Sequence, residues 1–349
     1  MKIGVGLKRT EQIYNTEYLR FLRQVGVTHI VGYKCEADQI PSSREGYWSY
    51  EDLAAMSRHY EDNGLVLEGI ENLPVHHLIK VLHDLPGREK QMDNIKHTIQ
   101  NMGRAGISVL GYNFSLTGCP ERYDAFVGRA GVDSSEYDAE KHPQKYERLP
   151  RRLTWNTVID PDAEGYFDPV SREEMKDRLY RFLDELVPVA AEAGVVLAAH
   201  PEDPPIPYIY GMGRVLITPE AFDEMLERYP TKYCSIEFCQ GTFAEMGVDI
   251  YDAIRRYASA GRIGYVHLRN VRGALPKYQE VMIDDGDVNM VRALTCYRES
   301  GYNGVFIPDH YPGLAAQPNN DASLAYTVGY MRAIMKTLGI PIYGTDYES

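Results

Sequence analysis

At 349 residues the chain is long enough for one large barrel or two smaller domains, and its 44% hydrophobic content is ordinary for a protein with a sizeable core. A net charge of −13 argues against nucleic acid as a partner, because phosphate binding needs clustered cations. No apolar run of about 18 residues is present, so no membrane partner is expected. Five widely spaced cysteines, an odd number, argue against a disulfide framework, and Met1-Lys-Ile-Gly-Val-Gly-Leu7 enters a strand without a signal-peptide cleavage pattern. A cytoplasmic protein is expected.

From the N-terminus, short apolar or β-branched runs predict strands at 3–7, 29–33, 66–71, 108–114, 195–200, 234–239, 264–269 and 304–310. Amphipathic stretches between them predict helices at 18–24, 51–63, 93–105, 172–193, 219–229, 249–260 and 290–300. Gly64, Gly106, Gly194, Gly261 and Gly301 follow helices just before strands, where glycine supplies the left-handed C-cap. Eight strands alternating with helices predict an α/β fold, a (β/α)8 barrel in a single domain, in preference to a doubly wound open sheet. The stretch 115–170 breaks the pattern: it is polar, rich in Tyr, Arg, Asp and Pro, and lacks a clean period. Following strand four, it would hang over the C-terminal face and is read as a lid or dimerisation insertion, the plainer alternative being a surface loop.

Strands five to eight end alike. His200 closes the run before Pro-Glu-Asp-Pro-Pro, Cys239 closes Ser-Ile-Glu-Phe-Cys, His267 lies in Tyr-Val-His-Leu-Arg, and Asp309 ends Val-Phe-Ile-Pro-Asp. Alone, each is more often a core histidine, a small buried hydrophobe or a rim polar group. A closed barrel, however, brings successive strand ends to one centre, and four metal-capable groups there predict a divalent ion. Cys with two His suits Zn²⁺, Fe²⁺, Co²⁺ or Mn²⁺, and the Asp adds a hard oxygen donor. Glu237, two residues before Cys239, faces the same side of the strand and either contacts the site or pairs within the barrel.

Other strand ends point to the same mouth. Lys34-Cys35 closes strand two, Glu71-Asn72 strand three and Tyr112-Asn113 strand four, which makes Lys34, Glu71 and Asn113 candidate substrate contacts. Arg269 and Arg272 are candidate clamps for a carboxylate. Cys35, Cys119, Cys234 and Cys296 are read as structural, and His76 and His77 as surface residues. Asp284-Asp-Gly-Asp287-Val-Asn-Met290 lacks the spacing of a calcium loop and reads as a turn with an acidic cap on the next helix.

These segments resemble the mannonate dehydratase family, which belongs with the xylose-isomerase-like barrels. The match rests on His200-Pro-Glu-Asp-Pro-Pro205, Cys239 followed by Gly241, His267-Leu-Arg269, Gly286-Asp-Val-Asn-Met290 and Pro308-Asp-His310, with weaker support from Glu71-Asn-Leu-Pro74 and Tyr112-Asn-Phe114. The resemblance implies a hydro-lyase that converts a sugar acid to a 2-keto-3-deoxy acid, with Mn²⁺ or a similar ion on His200, Cys239, His267 and Asp309. It further implies His310 and Tyr326 as the proton-transfer pair, a small-molecule sugar acid as partner, and a homo-oligomer. An isomerase or epimerase on the same barrel, or a non-catalytic metal- or sugar-binding barrel, are the alternatives. This chain departs from the family pattern in having Lys34-Cys35 for a His-His pair, only Arg122 of a Trp-x-Arg element, Gln240 before Gly241, and Tyr311 for a Gly. Those changes lead to the expectation that the preferred substrate is not mannonate.

Overall fold

The computed structural model describes residues 1–7, 9–315 and 320–344. Eight parallel strands form a closed barrel: Lys2–Leu7, His29–Tyr33, Val66–Glu71, Val109–Tyr112, Val196–Ala199, Cys234–Cys239, Ile263–His267 and Val305–Ile307, numbered one to eight below. Each strand pairs with its sequence neighbours and strand one pairs with strand eight, in register Lys2↔Val305. Parallel pairing requires crossovers, and the helices supply them. Thr16–Val25, Tyr50–Asp62, Arg172–Ala193, Pro219–Arg228, Ile250–Ser259 and Met290–Glu299 start on side-chain caps from Asn15, Ser49, Ser171, Thr218, Asp249 and Asn289. The acidic cap expected within 284–287 is thus Asn289 instead; the Asp287 carboxylate accepts from the Gly273 amide at 2.7 Å.

Two hydrophobic layers result. A large one fills the space between the strands and the surrounding helices, and a small one inside the barrel comprises Val31, Val109, Ala198, Tyr265, Val305 and Ile307. Strand alternation carries that interior layer up to the mouth: Ala198 is followed two residues on by His200, and Tyr265 by His267. Gly111 leaves room at this level, since a Cβ there would collide with Tyr265 Oη and Glu237 Oε2.

Two sequence-based expectations are corrected here. His77 is 1% exposed in a helix at Val75–Leu82, with Nε2 on the Ser43 carbonyl at 2.8 Å, so only His76 lies near the surface. The stretch 115–170 is not structureless: Tyr123–Val127 and Val132–Asp138 form a hairpin, and Leu153–Thr154 pairs with Thr157–Val158. The hairpin joins a second one that follows barrel strand seven, Asn270–Ala274 with Lys277–Val281, in an antiparallel four-stranded sheet outside the barrel.

Candidate active site

Barrel strands five, six and seven deliver His200, Cys239 and His267, all buried, with one donor atom from each lying within 4.8 Å of the others. Strand eight stops at Ile307, so Asp309 and His310 sit on irregular backbone and are not forced to opposite faces. Asp309 Oδ2 accordingly comes within 3.3 Å of His267 Nδ1 and 3.2 Å of His310 Nε2. His200 Nδ1 engages the Pro201 carbonyl, which fixes the ring and leaves Nε2 facing the cluster, 4.0 Å from Glu237 Oε1. Glu237 also stands 2.9 Å from His267 Nε2, and Glu71 3.2 Å. Glu237 therefore contacts the cluster.

The charges here are mutually dependent. Burial alone would raise the Cys239 thiol, yet Arg269 and hydrogen bonds with His200 and His267 hold it well below the usual thiol range. Burial likewise opposes charge on the imidazoles. Against it, Glu237 and Cys239 hold His200 up at about 9, and Asp309, Glu237 and Glu71 hold His267 well above its ordinary value. Burial, with Glu71 alongside, pushes Glu237 up to about 7. Both Glu237 oxygens and His267 Nδ1 are buried without an aligned hydrogen-bond partner. A thiol held low and several carboxyl groups thus surround two imidazoles. A divalent cation at this donor set would balance the same charge and satisfy the unaligned atoms, so the residues fit a metal.

A cavity of about 150 Å³ opens beside the cluster, lined by Tyr33, Glu71, Asn113, Asp309 and His310 among others, and from the insertion by Cys119, Arg122, Trp155 and Asn156. An outer cavity of about 500 Å³ shares Cys119, Arg122, Asp309 and His310 with it and leads to solvent past Arg9 and Tyr311. Cys119, expected to be structural, is therefore a cavity residue. Asn113 is at the cavity wall with its amide engaged: Nδ2 donates to the Pro201 carbonyl, and Oδ1 accepts from the Trp155 indole at 3.1 Å. Lys34 stacks its ammonium over the Trp155 ring, 3.5 Å from the centroid.

Three site expectations do not meet the geometry. Arg269 is 2% exposed and saturated: it reaches Glu245 at 2.7 Å, Asp203 at 2.8 Å, Thr242 at 2.9 Å and Cys239 Sγ at 3.3 Å, leaving no donor fork for a substrate. Arg272 turns to solvent and pairs with Asp285. Tyr326 lines neither of the cavities that His310 lines. It lies off the buried stripe of the helix Asp321–Thr337 and is 39% exposed, with its hydroxyl hydrogen-bonded to Asp284 and Arg129 and its ring stacked on Tyr330.

The cation that does reach the cavity is Arg122. Its Nη1 lies 2.5 Å from Glu280 Oε1, 3.2 Å from Asp203 Oδ2 and 3.2 Å from His310 Nδ1. Glu280 and Trp155 carried no signal, because a polar hairpin and an aperiodic insertion give no hint of where their side chains point. Asp203 was within reach of the sequence, since it stands in the His200-Pro-Glu-Asp-Pro segment.

Comparison with known proteins identifies the family. The family model described as D-mannonate dehydratase (UxuA) matches residues 12–341. The chain is 30% identical to mannonate dehydratase 2 of Halalkalibacterium halodurans over 279 residues, covering 76% of this chain and 79% of that protein. It is also 30% identical to mannonate dehydratase of Geobacillus thermodenitrificans over 319 residues, covering 85% and 83%. Among solved structures, mannonate dehydratase from Streptococcus suis superposes with a TM-score of 0.80 at 24% identity, covering 100% of this chain and 99% of that one. D-psicose 3-epimerase, solved in the presence of D-fructose, shares the barrel at a TM-score of 0.56 and 12% identity, covering 97% and 99%. The chain belongs to the mannonate dehydratase family.

Proposed function

We propose that this sugar-acid dehydratase holds a divalent cation, Mn²⁺ by preference over Fe²⁺, Co²⁺ or Zn²⁺, on His200, Cys239, His267 and Asp309, and acts on an aldonic acid in the cavity beside them. Convergence of these four residues with His310 at one barrel mouth is the observation that carries the reading. When bound, the cation supplies Lewis-acid stabilisation for the negative charge that develops as the proton next to the carboxylate is lost. His310 is the proton-transfer group, since an imidazole can both accept and donate a proton. It takes the C2 proton and protonates the departing C3 hydroxyl, so that water leaves and the enol becomes the 2-keto-3-deoxy acid. Tyr326 is assigned no step, as it lines neither cavity.

Glu237 and Glu71 flank His267 on the barrel side, and Arg122 lines the cavity beside them. Cys119, Arg122, Trp155 and Asn156 support reading 115–170 as a cover over the mouth. Three of the departures that led to the expectation of a substrate other than mannonate look smaller beside the cavity. Trp155 puts an indole at the cavity although none precedes Arg122, Cys35 is buried against Gly32, and Tyr311 lines only the outer cavity. D-mannonate is accordingly the first acid to test, with Lys34 and Gln240 the remaining differences from the family pattern.

The test is a panel of aldonic acids with production of 2-keto-3-deoxy acid as readout. D-mannonate turnover should stop on chelation and return with Mn²⁺, and Cys239→Ala should retain no ion by metal analysis. No keto-deoxy product from any aldonate, or full metal occupancy in Cys239→Ala, would overturn the reading.

A further inference from the structure

His310 does not stand free at the cavity. Its Nδ1 lies 2.9 Å from Glu280 Oε2, while the other oxygen of the same carboxylate, Oε1, accepts from Arg122 at 2.5 Å and stands 3.4 Å from Arg269 Nη1. Glu280 comes from the hairpin after barrel strand seven, whose strand Lys277–Val281 alternates sides. Tyr278 and Glu280 are buried, whereas Gln279 turns outward to Glu136 and Lys277 to Asp138. The register of that strand is held by the insertion, through Lys277↔Asp138, Tyr278↔Tyr137 and Gln279↔Glu136. The extra sheet thus carries one carboxylate to a fixed place beside one imidazole.

From this geometry we propose that Glu280 is the positioning residue for His310, a role that rests on His310 being the proton-transfer group. An ionised carboxylate accepts only, so Nδ1 carries a hydrogen toward Glu280, and Nε2 is left as the nitrogen that exchanges a proton with the substrate. Nε2 is the nitrogen on the side of Asp309, at 3.2 Å. Arg122 also approaches Nδ1, at 3.2 Å, but two donors cannot satisfy each other; the shorter contact to the carboxylate decides, and Arg122 is satisfied by Glu280 and Asp203. Burial would raise the Glu280 carboxyl, yet His310, Arg122 and Arg269 hold it well below the usual range, in keeping with an acceptor. The two oxygens serve different partners, so the contact to His310 is more than a by-product of neutralising the arginines.

The substitution Glu280→Gln separates these roles. A carboxamide offers one acceptor and one donor, so with its oxygen on Arg122 its NH₂ faces Nδ1, where it favours the tautomer with the proton on Nε2. In the metal-loaded enzyme, kcat is expected to fall on the order of a hundredfold or more, with KM within about threefold and metal content unchanged. The same change in a His310→Ala background should cost no more than about twofold further, since a positioning residue has nothing left to position. Glu280→Asp, which keeps the charge but withdraws it by one methylene, should lose less, and it serves in place of Glu280→Gln if the latter fails to fold. Wild-type kcat in Glu280→Gln, or an equal loss with and without His310, would overturn the proposal. Loss of turnover in His310→Ala together with full turnover in Glu280→Gln sinks this inference alone, whereas unimpaired His310→Ala sinks the function assigned to His310 and this inference with it.

Discussion

Arg269 and Arg272 stand three residues apart and differ in everything that decides a side chain's worth. Arg269 neutralises Asp203 and Glu245 and donates to Cys239 Sγ inside a shell where all four side chains are buried. Removing one partner of such a cluster leaves uncompensated charge in a low dielectric, which typically costs about 3–5 kcal/mol. Arg272 is 45% exposed by side chain and pairs with Asp285 at the rim. Arg269→Ala should therefore lower stability by about 3–5 kcal/mol and Arg272→Ala by no more than about 0.5 kcal/mol, as read from denaturant unfolding. Equal effects would mean that Arg269 is not the counter-ion of the buried carboxylates. The sequence put both arginines beside His267, and alternation brought Arg269 to the right face. What it could not show was that Asp203 and Glu245, from two other segments, together with Thr242 and Cys239 already fill that guanidinium's hydrogen bonds.

Whole elements were easier to read than single contacts wherever a period was present. The runs 29–33, 66–71 and 234–239 coincide with barrel strands, and the helix Arg172–Ala193 with its predicted bounds. The helix Val75–Leu82 was missed because its Pro74-Val-His-His start looks like a turn and the segment is only eight residues long. His77 ties it down through Ser43, with Nε2 3.0 Å from the hydroxyl and 2.8 Å from the carbonyl. Burial pushes this imidazole down to about 4, although the Ser43 contact opposes the shift. An unfolded chain binds the proton near 6.5 and the folded one does not until about 4. The contribution of His77 is thus fully present above 6.5 and is lost as pH falls toward 4. His77→Gln should be the less stable protein at neutral pH, with the gap narrowing by on the order of 1–3 kcal/mol between about pH 7 and pH 4.5. Thermal melts across that range give the measurement, and a gap independent of pH would contradict burial of a neutral ring.

At the scale of the molecule, the barrel and the extra sheet are made by different kinds of sequence. The barrel declares itself through eight repeats of one pattern, and with it the strand ends that bring His200, Cys239 and His267 together. The extra sheet is built from two polar hairpins distant in the chain, Tyr123–Asp138 and Asn270–Val281, whose pairing leaves one face in water; Phe126 is 80% exposed on it. Such strands bury too little to show a clean alternation, so neither their existence nor the meeting of Arg122, Glu280 and His310 was legible. Their separation from the barrel sheet has a consequence. Shortening the hairpin to a Gly-Ser link across residues 124–137 removes no barrel strand and no residue of the proposed metal set. It does remove the strand that sets the register of Lys277–Val281, and with it the support for Glu280 beside His310 and for Arg122 at the cavity. The shortened protein should unfold cooperatively and retain its ion, while dehydration falls about a hundredfold or more, because a misplacement near 1 Å at the reacting centre carries a cost of that size. Circular-dichroism melts, metal analysis and turnover of the same preparation decide the matter: activity within a fewfold of the parent would show that the barrel alone positions His310, and loss of the ion would show that the extra sheet is needed to build the metal site itself.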